Sequence, residues 1–339
     1  MINLKYLYVL TSDDSDFYLE QTLISITSLR MKMPNAFVSL LCDAATEATL
    51  TGKRGEIRNL VDELVSVEID RHFNKMACSR LLKTSMRRHV KGDFLYLDSD
   101  TVVAEDLSPI ADMGINLGAV LDCLYVFGSH KYYLPILQLV ENLHKRLGFI
   151  PVETSDTYFN SGIIFCKDCP KNHEFFDEWH RLWLFCFEQG SLTDQQSLYQ
   201  ANYNLGNVIT ELDGKWNCQI MASGSVRHLA DCKIIHYHGI AKENPYLLSS
   251  RKVHHDIKET GIVNQEIKNM LISPRALFSP DAQMRNVDSY EQHQEYQKIL
   301  KTRSYRLMIK LRRIAQKTGV IVLLRAFLAV KSKILGKRG

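Results

Sequence analysis

Short apolar runs of β-strand character alternate with longer runs of helical periodicity along most of this chain. This alternation is typical of an α/β fold, because each strand–helix–strand unit places two strands parallel in one sheet and a helix over its face. We therefore predict a mainly parallel sheet with helices on both faces. The strand-like runs are 4–10, 37–42, 61–67, 94–97, 117–121, 161–166 and 233–236, and the helical runs are 17–31, 72–90, 134–147 and 173–187.

The composition is that of a soluble protein with a sizeable core, with 339 residues of which 45% are hydrophobic and 24% charged. Residues 1–10 are apolar but too short and too weakly basic for a signal peptide. The most apolar later run, 319–330, is interrupted by Arg325 and is too short to span a bilayer. The eight cysteines show no framework spacing, which indicates a reducing, cytosolic compartment. The single C-x-x-C pair, Cys166 and Cys169, is a weak indication of a zinc or redox site.

The C-terminal residues differ from the rest of the chain in charge. Residues 304–339 contain ten Lys or Arg residues and no Asp or Glu, which leaves 32 basic and 38 acidic residues in the remainder. Leu307, Leu311 and Ile314 fall on one helical stripe, and basic residues fall on the opposite side. A basic amphipathic helix of this kind binds anionic lipid headgroups in a membrane interface, although it can also pack on the protein's own body. The tail has few aromatic residues and no nucleic-acid-binding motif, so we expect no nucleic-acid partner.

An acidic pair follows one of the predicted strands. The apolar run Phe94–Leu97 ends directly before Asp98, and Asp100 lies two residues further on. Ligands of open α/β sheets bind beyond the carboxyl ends of the strands. Divalent cations such as Mg²⁺ prefer oxygen ligands, and carboxylates at positions i and i+2 of a turn can share one ion. The pattern predicts a metal site, although a solvated acidic turn has the same local sequence.

Two other polar segments adjoin predicted strands. Thr11, Ser12 and Asp13 follow the first strand, where polar side chains can hydrogen-bond a nucleotide base and ribose, or simply cap the next helix. Asn160 and Gly162 belong to a small polar turn entering the strand 161–166, and they are equally compatible with turn chemistry alone.

Two segments in the second half of the chain carry further candidate site residues. Asp194 precedes a helical stretch, and its negative charge can complement the positive N-terminus of that helix. Gln195 has no obvious structural role. His236 ends a predicted strand, and an imidazole there can complete a metal site begun by carboxylates. Gly239 lets the backbone approach a phosphate, and Lys242 supplies a cation for it.

Taken in order, these segments resemble the motifs of the family 8 glycosyltransferases over roughly residues 4–245. Asp98-Ser99-Asp100 resembles the family's D-x-D, and the segment 236–242 resembles its H-x-x-G-x-x-K. Arg80 matches the arginine of the helix before the D-x-D strand. The family includes bacterial lipopolysaccharide galactosyl- and glucosyltransferases and, more distantly, glycogenin. The resemblance implies a single GT-A nucleotide-sugar-binding domain at 1–262, a helical or linker region at 263–303 and a membrane-association tail at 304–339.

The resemblance also implies an activity, a cofactor and roles for individual residues. The activity is transfer of a hexose, galactose or glucose, from a UDP-sugar to a saccharide or glycolipid acceptor with retention of anomeric configuration, in cell-envelope polysaccharide synthesis. The enzyme would be peripheral, on the inner face of the plasma membrane, and would use Mn²⁺ or Mg²⁺. The implied metal ligands are Asp98, Asp100 and His236. The implied donor-binding residues are Thr11, Ser12, Asp13, Arg80, Asp98, Ser99, Asn160, Ser161, Gly239 and Lys242. Gln195, Asp194 and Asp122 are implied at the reacting groups, with Asp122 on the acceptor side.

The chain departs from the family pattern at two places, and its sequence is also compatible with two alternative functions. Glu243 and Asn244 stand where the family often has Pro-Trp, and Ser15-Asp16 replace the usual Asn-Tyr near the base. A haloacid-dehalogenase-type phosphatase would use Asp98 as its nucleophile, but the chain lacks a later acidic pair after a strand. The other alternative is an inactive, membrane-recruited nucleotide-sugar-binding protein.

Overall fold

The computed structural model describes residues 4–70, 72–122, 134–152, 158–220, 228–240 and 246–277, together with three positions between 302 and 307. Residues up to Gln283 form one compact unit, and residues from Met284 onward form a second. The predicted tail helices lie outside the described residues. Within the described residues no helix is long and apolar enough to cross a membrane.

The first unit alternates strands and helices, as the sequence predicts. The strands are β1 (Lys5–Leu10), β2 (Phe37–Asp43), β3 (Glu63–Val67), β4 (Phe94–Leu97), β5 (Thr101–Val103), β6 (Leu117–Leu121), β7 (Phe159–Cys166), β8 (Thr210–Leu212), β9 (Cys218–Gln219) and β10 (Ile234–His236). The α-helices are α1 (Tyr18–Lys32), α2 (Ala44–Thr49), α3 (Lys75–His89), α4 (Leu134–Leu147), α5 (Pro170–Glu188), α6 (Gln195–Asn204), α7 (Arg251–Thr260) and α8 (Gln265–Ile272). Short 3₁₀ segments lie at Gly52–Asn59, Ser108–Asp112, Gly214–Trp216, Leu247–Ser249 and Pro274–Leu277.

The main sheet has seven strands in the order β3-β2-β1-β4-β7-β6-β8. The pairs β3–β2, β2–β1, β1–β4 and β6–β8 are parallel, and β7 runs antiparallel to both β4 and β6. The strand order reverses between β1 and β4, because the chain leaves β1 in one direction along the sheet and returns on its other side. Crevices at such a switch point are where open α/β sheets bind ligands.

A second sheet carries β5, β10 and β9 in that order. β10 is antiparallel to β5, with His236 opposite Thr101, and parallel to β9, with His236 opposite Gln219. The amide of Tyr237 also donates to the carbonyl of Asp100 at 3.0 Å. This small sheet therefore brings the end of β10 to the turn that follows β4.

The core lies on both faces of the main sheet. Tyr6, Tyr8 and Leu10 of β1 are buried on the side of α1, whereas Leu7 and Val9 are buried on the side of α3 and α5. Successive side chains of a strand point to opposite faces, so a strand buried on both faces is a continuous apolar run. This arrangement confirms the prediction of a mainly parallel α/β sheet covered by helices.

Some elements differ from the sequence prediction. The run 161–166 begins as a strand already at Phe159, so Asn160, Ser161 and Gly162 lie inside β7 and not in a turn before it. Pairing with β6 explains the difference, since Leu121 lies opposite Phe159, whereas the pairing with β4 extends only to Ile163.

Two helices near the end of the first unit were not predicted in detail. α7 begins at the Ser250 cap, which accepts from the amide of Val253, and ends at Gly261 with φ of +80°. A Cβ at position 261 would lie 2.6 Å from the carbonyl oxygen of Lys53, so glycine is required there. α7 and α8 both pack against α1. The division of the chain at residues 262 and 303 stays a prediction.

Candidate active site

The predicted site residues gather at one edge of the main sheet. Thr11 follows β1, and Asp98 follows β4, its parallel neighbour. Asn160 lies at the start of the antiparallel strand β7, which brings it to the same edge. The cluster thus occupies the switch point between β1 and β4 and the adjoining strand ends.

Asp98, Asp100 and His236 form the centre of this cluster. One ligand atom from each lies within 4.8 Å of the other two, and among the described residues no other such group of His, Cys, Asp and Glu occurs. The Nε2 atom of His236 is 3.2 Å from Oδ1 of Asp100 and 4.0 Å from Oδ2 of Asp98. Burial by itself would lower the pKa of His236, but the charge and hydrogen bond of Asp100, together with the charge of Asp98, outweigh burial and raise it.

The space in front of these three side chains fits a divalent cation. A Cβ on Gly162 would stand 2.4 Å from Cε1 of His236 and 2.8 Å from Oδ2 of Asp98, so the absent side chain keeps the cradle between them open. Two carboxylates and one imidazole are a competent ligand set for Mn²⁺ and Mg²⁺. The donor atoms and the open cradle therefore match the metal that the sequence predicts.

A chain of amide side chains orients His236. The Nδ2 group of Asn217 donates to Oδ1 of Asn160 at 2.9 Å, which turns Oδ1 of Asn217 toward Nδ1 of His236 at 3.1 Å. Nδ1 must then carry a proton, and Nε2 is the nitrogen directed at the carboxylates. A hydrogen bond of this kind fixes the tautomer and ring orientation of metal-binding histidines.

The same chain continues to Asp122. Nδ2 of Asn160 donates to Oδ2 of Asp122 at 3.1 Å, and Nε2 of Gln195 donates to the same oxygen at 2.9 Å. The structure thus connects His236 with Asp122 and Gln195 through Asn217 and Asn160. The sequence analysis did not identify Asn217, which has no motif spacing to His236.

Asp194 is held by two cations of α3. Its Oδ1 lies 3.2 Å from Nε of Arg80, and its Oδ2 lies 3.4 Å from Nζ of Lys83. Burial opposes ionisation of Asp194, but Lys83 and Arg80 together hold its pKa well below the usual range. Asp194 is the N-cap residue of α6 but makes no side-chain capping bond, and its carboxylate is engaged by Arg80 and Lys83 instead.

Lys83 is a second residue that the sequence analysis missed. Its side chain is only 2% exposed, and its Nζ lies 3.1 Å from both Oδ1 of Asp98 and Oγ of Ser161. The hydroxyl of Tyr96 also donates to Oδ1 of Asp98. The signal for Lys83 is its spacing of three residues from Arg80, which places both cations on one face of a helix.

The segment 11–16 is fixed by cations from three separate elements; it is here called the nucleotide loop, after the role that the sequence predicts for it. Lys75 at the start of α3 binds Asp13 and Asp16, each at 2.6 Å. Arg54 donates to the carbonyl of Asp13 at 3.1 Å, and Lys258 of α7 donates to the carbonyls of Asp14 and Asp16. The bond to Lys75, with bonds from Ser15, holds the pKa of Asp13 below its usual range.

The other predicted residues of the nucleotide loop are buried. The hydroxyl of Thr11 donates to the carbonyl of Lys75 at 3.2 Å, and that of Ser12 donates to Oδ1 of Asp16 at 2.7 Å. Ser99, in the D-x-D turn, accepts from the hydroxyl of Thr22 in α1 at 2.9 Å. α1, which follows the nucleotide loop, therefore also contacts the acidic turn.

The segment after β10 has an unusual backbone. Gly239 has φ of +81° and His238 has φ of +51°, and the His238 ring stacks on that of His236 with centroids 4.1 Å apart. Lys242 lies outside the described residues. Of the C-x-x-C pair, Cys166 ends β7, and burial raises the pKa of its thiol to about 12, which makes it unreactive as a nucleophile.

Known structures share this architecture. The galactosyltransferase LgtC, solved with donor and acceptor sugar analogues, superposes with a TM-score of 0.52 at 16% identity, covering 78% of this chain and 99% of that one. The glycosyltransferase GlyE of Streptococcus pneumoniae TIGR4 gives 0.50 at 18% identity, covering 80% of this chain and 62% of that one. No curated protein sequence matches the chain significantly. At these identities the likeness shows the fold, which is the GT-A fold of nucleotide-sugar-dependent glycosyltransferases.

Residues 12–243 match the family model of glycosyl transferase family 8. The chain belongs to this family and is an enzyme of the transferase class, as the motifs predicted. Membership of a glycosyltransferase family contradicts the phosphatase alternative, which is therefore wrong.

Proposed function

We propose that the protein transfers galactose or glucose from a UDP-sugar to a saccharide or glycolipid acceptor, with retention of anomeric configuration. The observation that carries this proposal is the meeting of Asp98, Asp100 and His236 with the Arg80–Asp194 pair at the switch point of the sheet. The first group suits a metal-bound diphosphate, and the second suits the hydroxyls of a sugar. The galactosyltransferase LgtC, similar in fold, makes galactose the first donor to test.

Asp98, Asp100 and His236 would hold Mn²⁺, with Mg²⁺ as the other candidate. When bound, the ion supplies Lewis-acid stabilisation of the charge on the departing UDP. Gly239 would contribute its backbone amide and Lys242 its ammonium to the same diphosphate. Gly239 suits this role because its positive φ turns the backbone in a way that side-chain-bearing residues rarely adopt.

The nucleotide loop would hold the uridine, with Asp13 at the base and Thr11 and Ser12 beside it. The loop lies on the β1 side of the switch point, opposite the acidic turn after β4. Ser99, which is bonded to Thr22 of α1, would lie between the two parts of the donor.

The donor sugar would lie among Arg80, Asn160, Ser161, Asp194 and Gln195. The Asp194 carboxylate is engaged by two cations, and an amide such as Gln195 is a weak nucleophile. We therefore favour attack by the acceptor hydroxyl on the face that the UDP leaves. The bond from C1 to the UDP oxygen breaks, the bond from C1 to the acceptor oxygen forms, and the hydroxyl proton passes to the departing UDP oxygen.

Asp122 would lie on the acceptor side. Its Oδ2 accepts from Asn160 and from Gln195, and these two bonds orient the carboxylate. We assign no catalytic base.

The tail would bring the enzyme to an anionic membrane surface. Residues 304–339 carry ten basic and no acidic residues, and their predicted helix is amphipathic. A peripheral position on the inner face of the plasma membrane and a glycolipid acceptor of cell-envelope polysaccharide synthesis fit this charge. The prediction is checked by sedimentation with vesicles that contain or lack anionic lipid.

Calorimetric titration of UDP into the full-length protein tests the donor site. We expect binding that needs Mn²⁺ and that is lost in Asp100→Asn. Asp112→Asn, an exposed carboxylate of the 3₁₀ segment Ser108–Asp112, is the matched control and should bind as the wild type does. Absence of UDP binding under all conditions would overturn the proposal, and metal-dependent binding would be followed by a screen of UDP-hexoses.

A further inference from the structure

Lys83 is the most deeply buried ammonium group of the site. Its side chain is 2% exposed, it projects from α3 one turn after Arg80, and its Nζ lies 5.2 Å from the ring centroid of Tyr96. Lysine is almost never buried unless it is paired, because an ammonium loses much hydration free energy in the interior. The burial of Lys83 must therefore be explained by the groups that pair with its ammonium.

The partners of Lys83 belong to two different parts of the site. Nζ lies 3.1 Å and 3.3 Å from the two carboxylate oxygens of Asp98, which is a candidate metal ligand. It also lies 3.4 Å from Oδ2 of Asp194 and 3.1 Å from Oγ of Ser161, which are candidate sugar-site residues. One ammonium thus bridges the metal cradle and the sugar site.

The contact with Asp98 places two cations in competition for one carboxylate. Oδ1 of Asp98 already accepts from Tyr96, and Oδ2 faces the cradle beside Gly162. An ion bound in that cradle would share Asp98 with Lys83 at close range. Like charges in a site of low dielectric repel each other far more than they do in water.

We propose that Lys83 is a positioning residue that acts as the built-in counter-ion of this site. It holds Asp98 and Asp194 in place while the metal is absent and makes divalent-cation binding by the free enzyme weaker than the three ligands alone would allow. With the metal bound, its charge is directed to Asp194 and Ser161. The proposal rests on the metal site of the proposed function and adds to it a residue that tunes metal affinity.

The test is titration of Mn²⁺ alone into the full-length protein, followed by the electron paramagnetic resonance signal of the free ion. Lys83→Met should bind Mn²⁺ at least tenfold more tightly than the wild type, because the repelling charge is gone. Lys83→Arg keeps the charge and should stay within about threefold of the wild type. Lys91→Met, an exposed position after α3, makes the same change of net charge and should leave the affinity unchanged.

A purely structural role for Lys83 predicts the opposite change in Mn²⁺ affinity. If the lysine only supports the fold, Lys83→Met disorders the ligands and weakens Mn²⁺ binding, and that result, or unchanged binding, would overturn the proposal. The double variant Lys83→Met/Asp194→Asn removes one partner charge with the ammonium and guards against misfolding; it should still bind Mn²⁺ more tightly than Asp194→Asn alone. Binding by Lys83→Met but not by the wild type would support the proposal, whereas no binding by any variant would overturn the metal site itself.

Discussion

The site contains two arrangements of carboxylates and cations that differ in burial and in origin. The buried cluster consists of Asp194, Lys83 and Arg80; Asp194 and Lys83 are 7% and 2% exposed, Arg80 is 33% exposed, and both cations come from one helix, α3. In the nucleotide loop, Lys75 and Asp13 are 32% and 47% exposed, and the cations come from three separate elements. The same pair chemistry therefore operates in two dielectric environments.

The difference has an energetic consequence. Breaking a buried ion pair from one side leaves an uncompensated charge and costs about 3–5 kcal/mol, whereas an exposed pair contributes about 0–1 kcal/mol. The buried cluster is thus sensitive to each of its members. The nucleotide loop is tied at several points, so loss of one cation should shift its position more than its stability.

The largest expected effect is that of Asp194→Asn. The variant leaves Arg80 and Lys83 without their shared carboxylate, and we expect unfolding free energy to fall by about 3–5 kcal/mol. Transfer activity should fall by about a thousandfold, because the proposed sugar site loses the negative charge of a hydrogen-bond acceptor. Urea unfolding and initial rates measure the two effects.

The matched control for this variant is Asp177→Asn. Asp177 also pairs with an arginine of α3, Arg88, at 2.7 Å, but its side chain is 59% exposed. It should cost no more than about 0.5 kcal/mol. Equal losses of stability in the two variants would show that burial does not determine the cost of breaking these ion pairs.

The next largest effect concerns Asn217, whose side chain contacts the candidate metal ligand His236. Asn217→Ala removes the acceptor that fixes Nδ1 of His236, and we expect Mn²⁺ affinity to fall by about 10–100-fold. Asn202→Ala is the matched control, because Asn202 is equally buried at 2% exposure and its side chain bonds Ile209 and Asn207, neither of which is a candidate site residue. It should lower stability and leave Mn²⁺ affinity unchanged. A similar affinity loss in both variants would mean that general destabilisation, and not histidine orientation, is being measured.

The same two regions show what sequence alone can predict. Strands such as β1 and β4 are long apolar runs ending in polar residues, and these runs predicted both the sheet and the edge where the site lies. Of the small second sheet, β10 was predicted as the run 233–236. Its partners β5 and β9 were not predicted, because strands of two or three residues carry no recognisable periodicity. The pairing of β10 with β5 nevertheless brings His236 close to Asp100.

Side chains that act in the site through partners distant in sequence were also not predictable. A lysine on an amphipathic helix reads as solvent-facing, and the burial of Lys83 depends on the approach of Asp194 from the start of α6. Asn217 follows Trp216 in a segment with no motif, and it reaches His236 only through the pairing of β9 with β10. Spacing in sequence identifies residues on one element, whereas these contacts are set by tertiary packing.

The smallest expected effect is that of Lys258→Met on the nucleotide loop. Lys258 donates to the carbonyls of Asp14 and Asp16 at 2.6 and 2.7 Å, and its ammonium lies 4.8 Å from the Phe17 ring centroid. It stands on α7, beyond the residues 12–243 that the family model matches. Loss of these bonds should loosen the loop without unpairing a buried charge.

We therefore expect Lys258→Met to weaken UDP binding by about three- to tenfold and to raise KM for the donor, with kcat within twofold of the wild type, because uniform binding is lost and the reacting groups are untouched. Lys252→Met, at an exposed position of the same helix, should change neither constant. Calorimetry with UDP and donor-saturation kinetics measure the effect. A fall in kcat with unchanged KM would show that Lys258 affects the reacting groups, as the buried cluster is expected to do. The nucleotide loop would then not differ from the buried cluster in its effect on the reaction.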